Sequence, residues 1–143
     1  MSITDHLQKA LAESYILLLK THNYHWNVVG EHFNHLHTMF QTQYEDLFLG
    51  VDAIAERIRA HAKPAMGSFK EFSKLSSISE ASTKLDWKKM VKDLHGDQLK
   101  ICKTLAACLK ASEKAGDQVT VDLMVQRMTI HQKNAWMLGA ILA

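Results

Sequence analysis

Four side chains in one stretch are of the kinds that hold first-row metals: His25, His37, Asp52 and Glu56. Asp52 and Glu56 stand one helical turn apart, with Cβ atoms about 5–6 Å from each other on one face, which lets two carboxylates converge on one cation. His25 and His37 lie almost symmetrically about Val29-Gly30-Glu31, a tight connection between a helix ending near Val28 and another beginning near His32. The two imidazoles can therefore face each other across a helical hairpin. Asp52 follows His37 by 15 residues on what reads as one continuous helix. At 1.5 Å per residue that is roughly 22 Å, and no ion bridges it. If the four share a site, the carboxylates come from a second copy. Two such helices packed antiparallel about a two-fold axis bring His37 of each chain beside Asp52 and Glu56 of the other, and symmetry makes two identical sites. Two imidazoles with two carboxylates suit iron or zinc better than calcium or magnesium.

Long helices must carry these side chains, and the composition favours them. Of 143 residues, 47% are apolar, with one proline and six glycines. The length suits a single domain spanning residues 1–143 with a real core. A first helix starts at Thr4 or Asp5, both good caps, and carries Leu7, Leu11, Ser14, Leu18, His22 and His25 at steps of three and four. A second carries Phe33, His37, Phe40, Tyr44, Leu47, Val51, Ile54 and Ile58, a seam that faces a bundle. Phe48 and Leu49 fall off the seam, on a side open to a neighbouring subunit. Pro64 and Gly67 end this helix, and Ser68-Phe-Lys-Glu71 has the form of a capping box, opening a short helix with Phe69, Phe72 and Leu75 available to pack. Ser76 to Ser82 reads as a polar connection that returns the chain to the starting end of the bundle. A third long helix carries Trp87, Met90 or Val91, Leu94, Gln98, Ile101, Leu105 and Cys108, and Gly116 stops it. The last carries Val121, Met124, Met128, His131, Ala135 and Leu138, with Trp136 and Met137 broadening its apolar face. No strand, repeat or low-complexity tract is evident. The expected fold is all-α: a four-helix bundle with a short extra helix in the crossover between the second and third long helices, which is ferritin-like connectivity.

Each candidate also has a plainer reading. His25 extends an apolar stripe and His37 sits within one, so either can be a core histidine with a satisfied partner. Asp52 and Glu56 fall some 60–100° round from His37; alone they read as surface charge, with Glu56 offered to Arg57 or Arg59. The two pairs together point to a site. His131 reads as core or interface. The formal net charge of +2, with nine histidines uncounted, gives no sign of an obligate nucleic-acid binder, whose domain would carry a concentrated basic patch. Met1-Ser-Ile-Thr-Asp5 is not a basic region followed by an apolar run, and no segment approaches the roughly 18 apolar residues of a membrane span. A soluble cytoplasmic protein with no membrane partner is expected. Cys102 and Cys108 lie about 240° apart around their helix, so they cannot bridge, and two buried reduced thiols fit the cytoplasm.

The run His25-Trp-Asn, then Gly30, Phe33, Leu36-His37, Tyr44 and Asp52-Ala-Ile-Ala-Glu56-Arg, resembles the Dps-like mini-ferritins, the DNA-binding proteins from starved cells. The similarity covers nearly the whole chain, including the stop near Pro64, Leu75-Ser-Ser and the closing stretch from His131 through Trp136-Met-Leu138. The resemblance implies a hollow homododecamer with a ferroxidase centre at each two-fold interface. His25 and His37 of one subunit would be the imidazole ligands, and Asp52 and Glu56 of the other the carboxylates, Glu56 bridging. The Glu-x-x-His pattern of ordinary ferritins is absent. Many family members have an acid where this chain has Gln41. Glutamine accepts through its carbonyl oxygen but brings no charge, so the second iron of a di-iron centre should be held weakly or through water.

The resemblance further implies oxidation of Fe(II) to Fe(III), usually by hydrogen peroxide, with dioxygen as the alternative oxidant, and storage of ferric mineral in the cage, protecting against oxidative damage. Trp26 matches a family tryptophan that can absorb stray oxidising equivalents; packing is its other role. Asp117 and Asp122 match acidic residues that line three-fold pores and draw in cations, while Asp117 can also simply cap the last helix. A different reading is a nucleoid-protecting DNA binder. Family members that coat DNA commonly carry a lysine-rich tail, whereas here Lys9 is the sole Lys or Arg in the first ten residues and the chain ends Gly139-Ala-Ile-Leu-Ala143, so phosphate binding by a tail is unsupported. A third reading is a structural helical oligomer whose site holds zinc or nothing.

Overall fold

The first helix, α1 (Ile3–Asn27), begins one residue before the expected caps. Ser2 is the N-cap: its hydroxyl accepts from the Asp5 amide while the Asp5 carboxylate accepts from the Ser2 amide, so Asp5 serves at the third helical position of a capping box. The structure, a computed structural model, describes residues 1–82 and 84–143. Four further helices follow: α2 (Phe33–Ala60), α3 (Phe69–Leu75), α4 (Trp87–Lys114) and α5 (Gln118–Leu142). Among the described residues there is no strand.

The turn between α1 and α2 falls where expected. Gly30 has φ +108°, a conformation that costs glycine little and other residues much. The far end of α2 differs from expectation. The helix stops at Ala60 rather than at Pro64, because Ala62 adopts φ 61° and closes a Schellman motif: the Ala62 amide donates to the Arg59 carbonyl and the Lys63 amide to that of Ile58. Gly116 ends α4 by the same motif, donating to Glu113 while Asp117 donates to Ser112. At Gly116 the usual residue occupies the left-handed position; at Ala62 it does not, which left that stop hidden in the sequence.

The crossover is tied down along α1. The Gln8 amide donates to the Pro64 carbonyl and accepts from the Met66 amide. Ser68 caps α3 by accepting from the Glu71 amide, but the expected capping box is only half formed, since the Glu71 carboxylate accepts from the Ser68 hydroxyl rather than its amide; Phe72 is buried with its ring stacked on Tyr15 at 5.2 Å. Phe69 stays exposed. Buried Glu13 accepts from the amide and hydroxyl of Ser77. The chain thereby reaches the end where α2 starts, and Trp87 meets His32 edge-on at 4.4 Å.

Cross-links between helices fix the register. Lys20 pairs with Asp93 (3.0 Å) and Asp97 (2.7 Å), joining α1 antiparallel to α4. Arg57 reaches Asp117, and Arg127 takes Asp46 through both carboxylate oxygens, joining α2 antiparallel to α5. His131 bonds Gln98, joining α5 to α4. Arg57 and Arg59 are thus not held by Glu56: Arg57 faces Asp117 and Arg59 donates to the Lys63 carbonyl. The seam of α2 is buried at Phe40, Leu47, Ile54 and Ile58. Burying each such side chain favours folding by about 1.5–3 kcal/mol, and that sets the rotation of α2, leaving Asp52 and Glu56 exposed. Three expectations need correction. Trp136 is 69% exposed rather than packed, and Cys102 is half-buried, although both thiols are free. The balanced net charge also hides a concentrated basic surface, since the outward face of α4 carries seven exposed lysines. No helix is long and apolar enough to cross a membrane.

Candidate metal centre

The α1–α2 hairpin lays the His25 and His37 rings face to face, 3.8 Å between centroids and 13° from parallel. Each is fastened to the other's backbone. His25 Nδ1 lies 2.7 Å from the His37 carbonyl oxygen, and His37 Nδ1 lies 2.8 Å from that of His25. A carbonyl oxygen only accepts, so both Nδ1 atoms carry the hydrogen. Both Nε2 lone pairs are thereby left free, the tautomer a metal-binding histidine needs.

Aromatic rings wedge the pair in place. Phe33 stacks on His37 at 4.9 Å and Tyr44 meets His25 edge-on at 5.1 Å. His22 stacks on Tyr44 at 4.3 Å and lies tilted by 42° against Trp26 at 4.0 Å. Burial, with the nearby charge of His25 second, lowers the pKa of His22 below the usual imidazole value. His22 and Tyr44 were legible only as stripe and seam residues; their contact with the imidazoles follows from helix pairing.

Asp52 and Glu56 share one exposed face of α2, and neither reaches the histidines. Among the described residues no three His, Cys, Asp or Glu side chains converge on a point that would hold a metal. Asp52 instead borders an apolar groove of about 420 Å³ lined by Tyr15, Phe48, Leu49, Phe69 and Phe72. Phe48 and Leu49 are 62% and 71% exposed, as the off-seam positions required. Gln41 donates its amide to Glu45 at 2.9 Å, which leaves its carbonyl oxygen as the free end.

The two pore candidates differ from each other. Asp117 is the N-cap of α5 and is fully engaged, accepting from the Thr120 amide and hydroxyl, Arg57 (2.9 Å) and His61 (2.9 Å). Burial acts to raise its pKa, but the Thr120 bonds and the charges of Arg57 and His61 outweigh it and hold the carboxyl below its usual value. Thr120, Arg57 and His61 had no sequence signal, because they meet Asp117 only through the α2–α5 pairing. Asp122 is exposed and receives only the Gln126 amide.

Comparison with known proteins decides the lineage. Residues 4–143 match the family described as "Ferritin-like domain". The chain belongs to the ferritin-like family, as a Dps-type member. It is 33% identical over 140 residues to DNA protection during starvation protein 2 of Bacillus anthracis, spanning 98% of this chain and 96% of that protein. The crystal structure of Dps from Staphylococcus aureus superposes with a TM-score of 0.96 at 30% identity, over 99% of this chain and 95% of that one. Dps from Vibrio cholerae, described as a member of a broad superfamily of ferritin-like diiron-carboxylate proteins, gives 0.95 at 30% identity, over 99% and 89%. The ferritin-like topology expected from helix order and connection lengths is therefore correct for this Dps-type chain.

Proposed function

We propose that this Dps-type protein is an iron-sequestering ferroxidase whose centres form between subunits of a homododecameric cage. One observation carries the reading: two parallel imidazoles, tautomer-locked with both Nε2 atoms free, on a chain whose Asp52 and Glu56, one turn apart farther along the same helix, face solvent, with Asp52 beside an apolar groove. A second copy seated on that groove, with α2 antiparallel to α2, brings its Asp52 and Glu56 to His25 and His37 and covers Phe48 and Leu49. Exposed apolar surface of this kind commonly marks an interface.

Iron is the substrate and cargo. The imidazoles retain ferrous iron; the carboxylates stabilise the added charge of the ferric product. With peroxide as oxidant, two ferrous ions give one electron each, the O–O bond breaks, and two protons complete two waters. Gln41 presents a neutral oxygen to the second iron, so that iron is held more weakly. Asp122 is the better placed of the two pore candidates to guide cations inward. Consuming iron and peroxide together would limit oxidative damage, which is in keeping with a relative named DNA protection during starvation protein 2.

The test mixes two inactive variants. His37→Ala and Glu56→Ala subunits are each expected to oxidise Fe(II) at the background rate under peroxide. When they are denatured together and reassembled, half of the interfaces pair unlike subunits, and each of those holds one intact site of its two, so about a quarter of parental activity returns. Recovery in the mixture requires a shared site. No recovery, with both variants assembled, refutes it.

A further inference from the structure

Halfway along the bundle the core stops being apolar. The pair Asp46 and Arg127 sets α2 against α5, so Gln43, three residues before Asp46, comes level with His131, four residues beyond Arg127. His131 in turn meets Gln98 of α4, with Nδ1 2.7 Å from Oε1. On α1, Lys20 pairs with Asp97, which puts Thr21 within about one turn of Gln98. All four long helices thus turn a polar side chain inward at one level: Thr21, Gln43, Gln98 and His131 are 0–3% exposed. Asn134, a turn beyond His131, is buried too. Six atoms of this layer have no hydrogen-bond partner among the described residues: Thr21 Oγ1, Gln43 Oε1 and Nε2, Gln98 Nε2, Arg127 Nε and Asn134 Nδ2. Burying a polar group without a hydrogen bond is costly, and folded proteins rarely leave several together unanswered.

We propose that the centre of the bundle binds a small cluster of ordered water molecules, held between Thr21, Gln43, Gln98, Arg127 and Asn134. The chemistry of the layer selects water over an ion. Metal sites at the centre of four-helix bundles are built from inward carboxylates and imidazoles. Here the inward groups are amides, a hydroxyl and a guanidinium, and the one imidazole is spent. Arg127 can only donate, so His131 Nε2 accepts from it and Nδ1 carries the hydrogen toward Gln98. That fixes the Gln98 amide with its oxygen on the ring and its NH2 turned to the layer. A cation would also face the charge of Arg127. An anion fares no better, because Asp46 already answers that charge with both oxygens. The unpaired atoms include donors and acceptors, and water serves both. A buried water makes about three hydrogen bonds, so about two molecules answer the whole set, well within the roughly five usual for a chain of 143 residues. Room comes from side-chain size: Thr21 stands at a core position of α1 between the turns that Leu17 and Tyr24 fill. Water placed here links α1, α2, α4 and α5 through one hub, which the pairwise contacts between helices do not.

The first test is high-resolution diffraction from crystals of the full-length protein. Solvent density is expected about 2.7–3.2 Å from Gln98 Nε2 and from the Gln43 amide; a layer without density overturns the proposal. Soaking with bromide, or with ferrous iron under argon, tells water from an ion. No anomalous peak should appear in the layer, and a peak there would overturn the proposal as well. Gln43→Leu gives a test in solution that turns on a sign. In a dry core, leucine removes an unpaired amide and the urea midpoint should rise. Where the amide holds water, leucine strips a partner from the shared cluster and the midpoint should fall; an equal or higher midpoint overturns the proposal. Thr21→Val should also lower the midpoint, and the double variant should lose less than the sum of the two, since both act on one cluster. Strictly additive losses would mean that the two side chains share nothing. Unchanged elution volume and helix content by circular dichroism establish that the variants are folded, and diffraction from the parent decides the matter even where a variant fails to fold.

Discussion

Gly50→Ala sets two effects of opposite sign against each other. Inside a helix, alanine is favoured over glycine by about 1 kcal/mol. Against that, a Cβ at position 50 would stand 2.6 Å from Cζ of Arg127 and 2.9 Å from both terminal nitrogens. Carbon atoms pack at about 3.5–4.0 Å, so the guanidinium must retreat by roughly 1 Å. It is not free to do so. It donates to Asp46 at 3.2 and 2.9 Å and to His131 Nε2 at 3.2 Å, and Arg127 is 5% exposed, so water does not replace a broken bond. One charge-assisted hydrogen bond contributes about 1.5–3 kcal/mol, discounted here because Asp46 is partly exposed and regains solvent. The clash prevails by a small margin, and a net loss of about 1 kcal/mol is expected. Urea unfolding at fixed protein concentration, which holds any assembly linkage constant, measures it. In an Asp46→Asn background the penalty should shrink, since the pair is already gone. A raised midpoint for Gly50→Ala, or the same change in both backgrounds, would refute the reasoning.

Burial, with the Arg127 charge second, pushes the pKa of His131 down to about 3. The unfolded chain takes up a proton near pH 6.5 that the folded chain refuses, so this stability is complete above 6.5 and declines by about 1.4 kcal/mol per pH unit below it. His131→Gln should show a shallower decline in urea midpoint between about pH 6 and 4.5; parallel curves would count against it. Ala62→Gly should stabilise by about 0.5–1 kcal/mol by relieving the left-handed alanine, visible as a higher midpoint, and an unchanged or lower one would mean no strain is held there. Lys20→Met should cost about 3–5 kcal/mol by stranding the buried Asp97 carboxylate, and a loss under about 1 kcal/mol would show that Asp97 simply takes up a proton. Burial raises the pKa of both cysteines, that of Cys108 to about 11, so at pH 8 a thiol reagent should modify the native protein slowly, Cys102 first, and rapidly once unfolded.

What was legible in the sequence was whatever local rules decide. The α2 seam, the glycine turn at Gly30, the Ser68 cap and the Gly116 stop each depend on a few neighbouring residues. The facing of His25 and His37 could be read because both sit at fixed distances from one tight turn. The illegible features were those where a residue acts against type or meets a distant partner. Ala62 does the work usually given to glycine. Lys20, Glu13 and Arg127 lie buried on stripes that periodicity assigns to apolar groups, each answered by a partner more than sixty residues away. The lysine face of α4 is hidden in the net charge, which averages it against 15 carboxylates spread along the whole chain.

The reciprocal fastening of His25 and His37 means that half of the proposed centre is ready before a second subunit arrives. A lone chain then carries imidazoles without carboxylates at one place and carboxylates without imidazoles at another. Freshly made subunits would be chemically silent, and oxidation would begin only once two of them have paired. In dilute solution the initial rate should rise with the square of subunit concentration, so that the cell's supply of protein itself sets the moment at which iron and oxidant are allowed to meet.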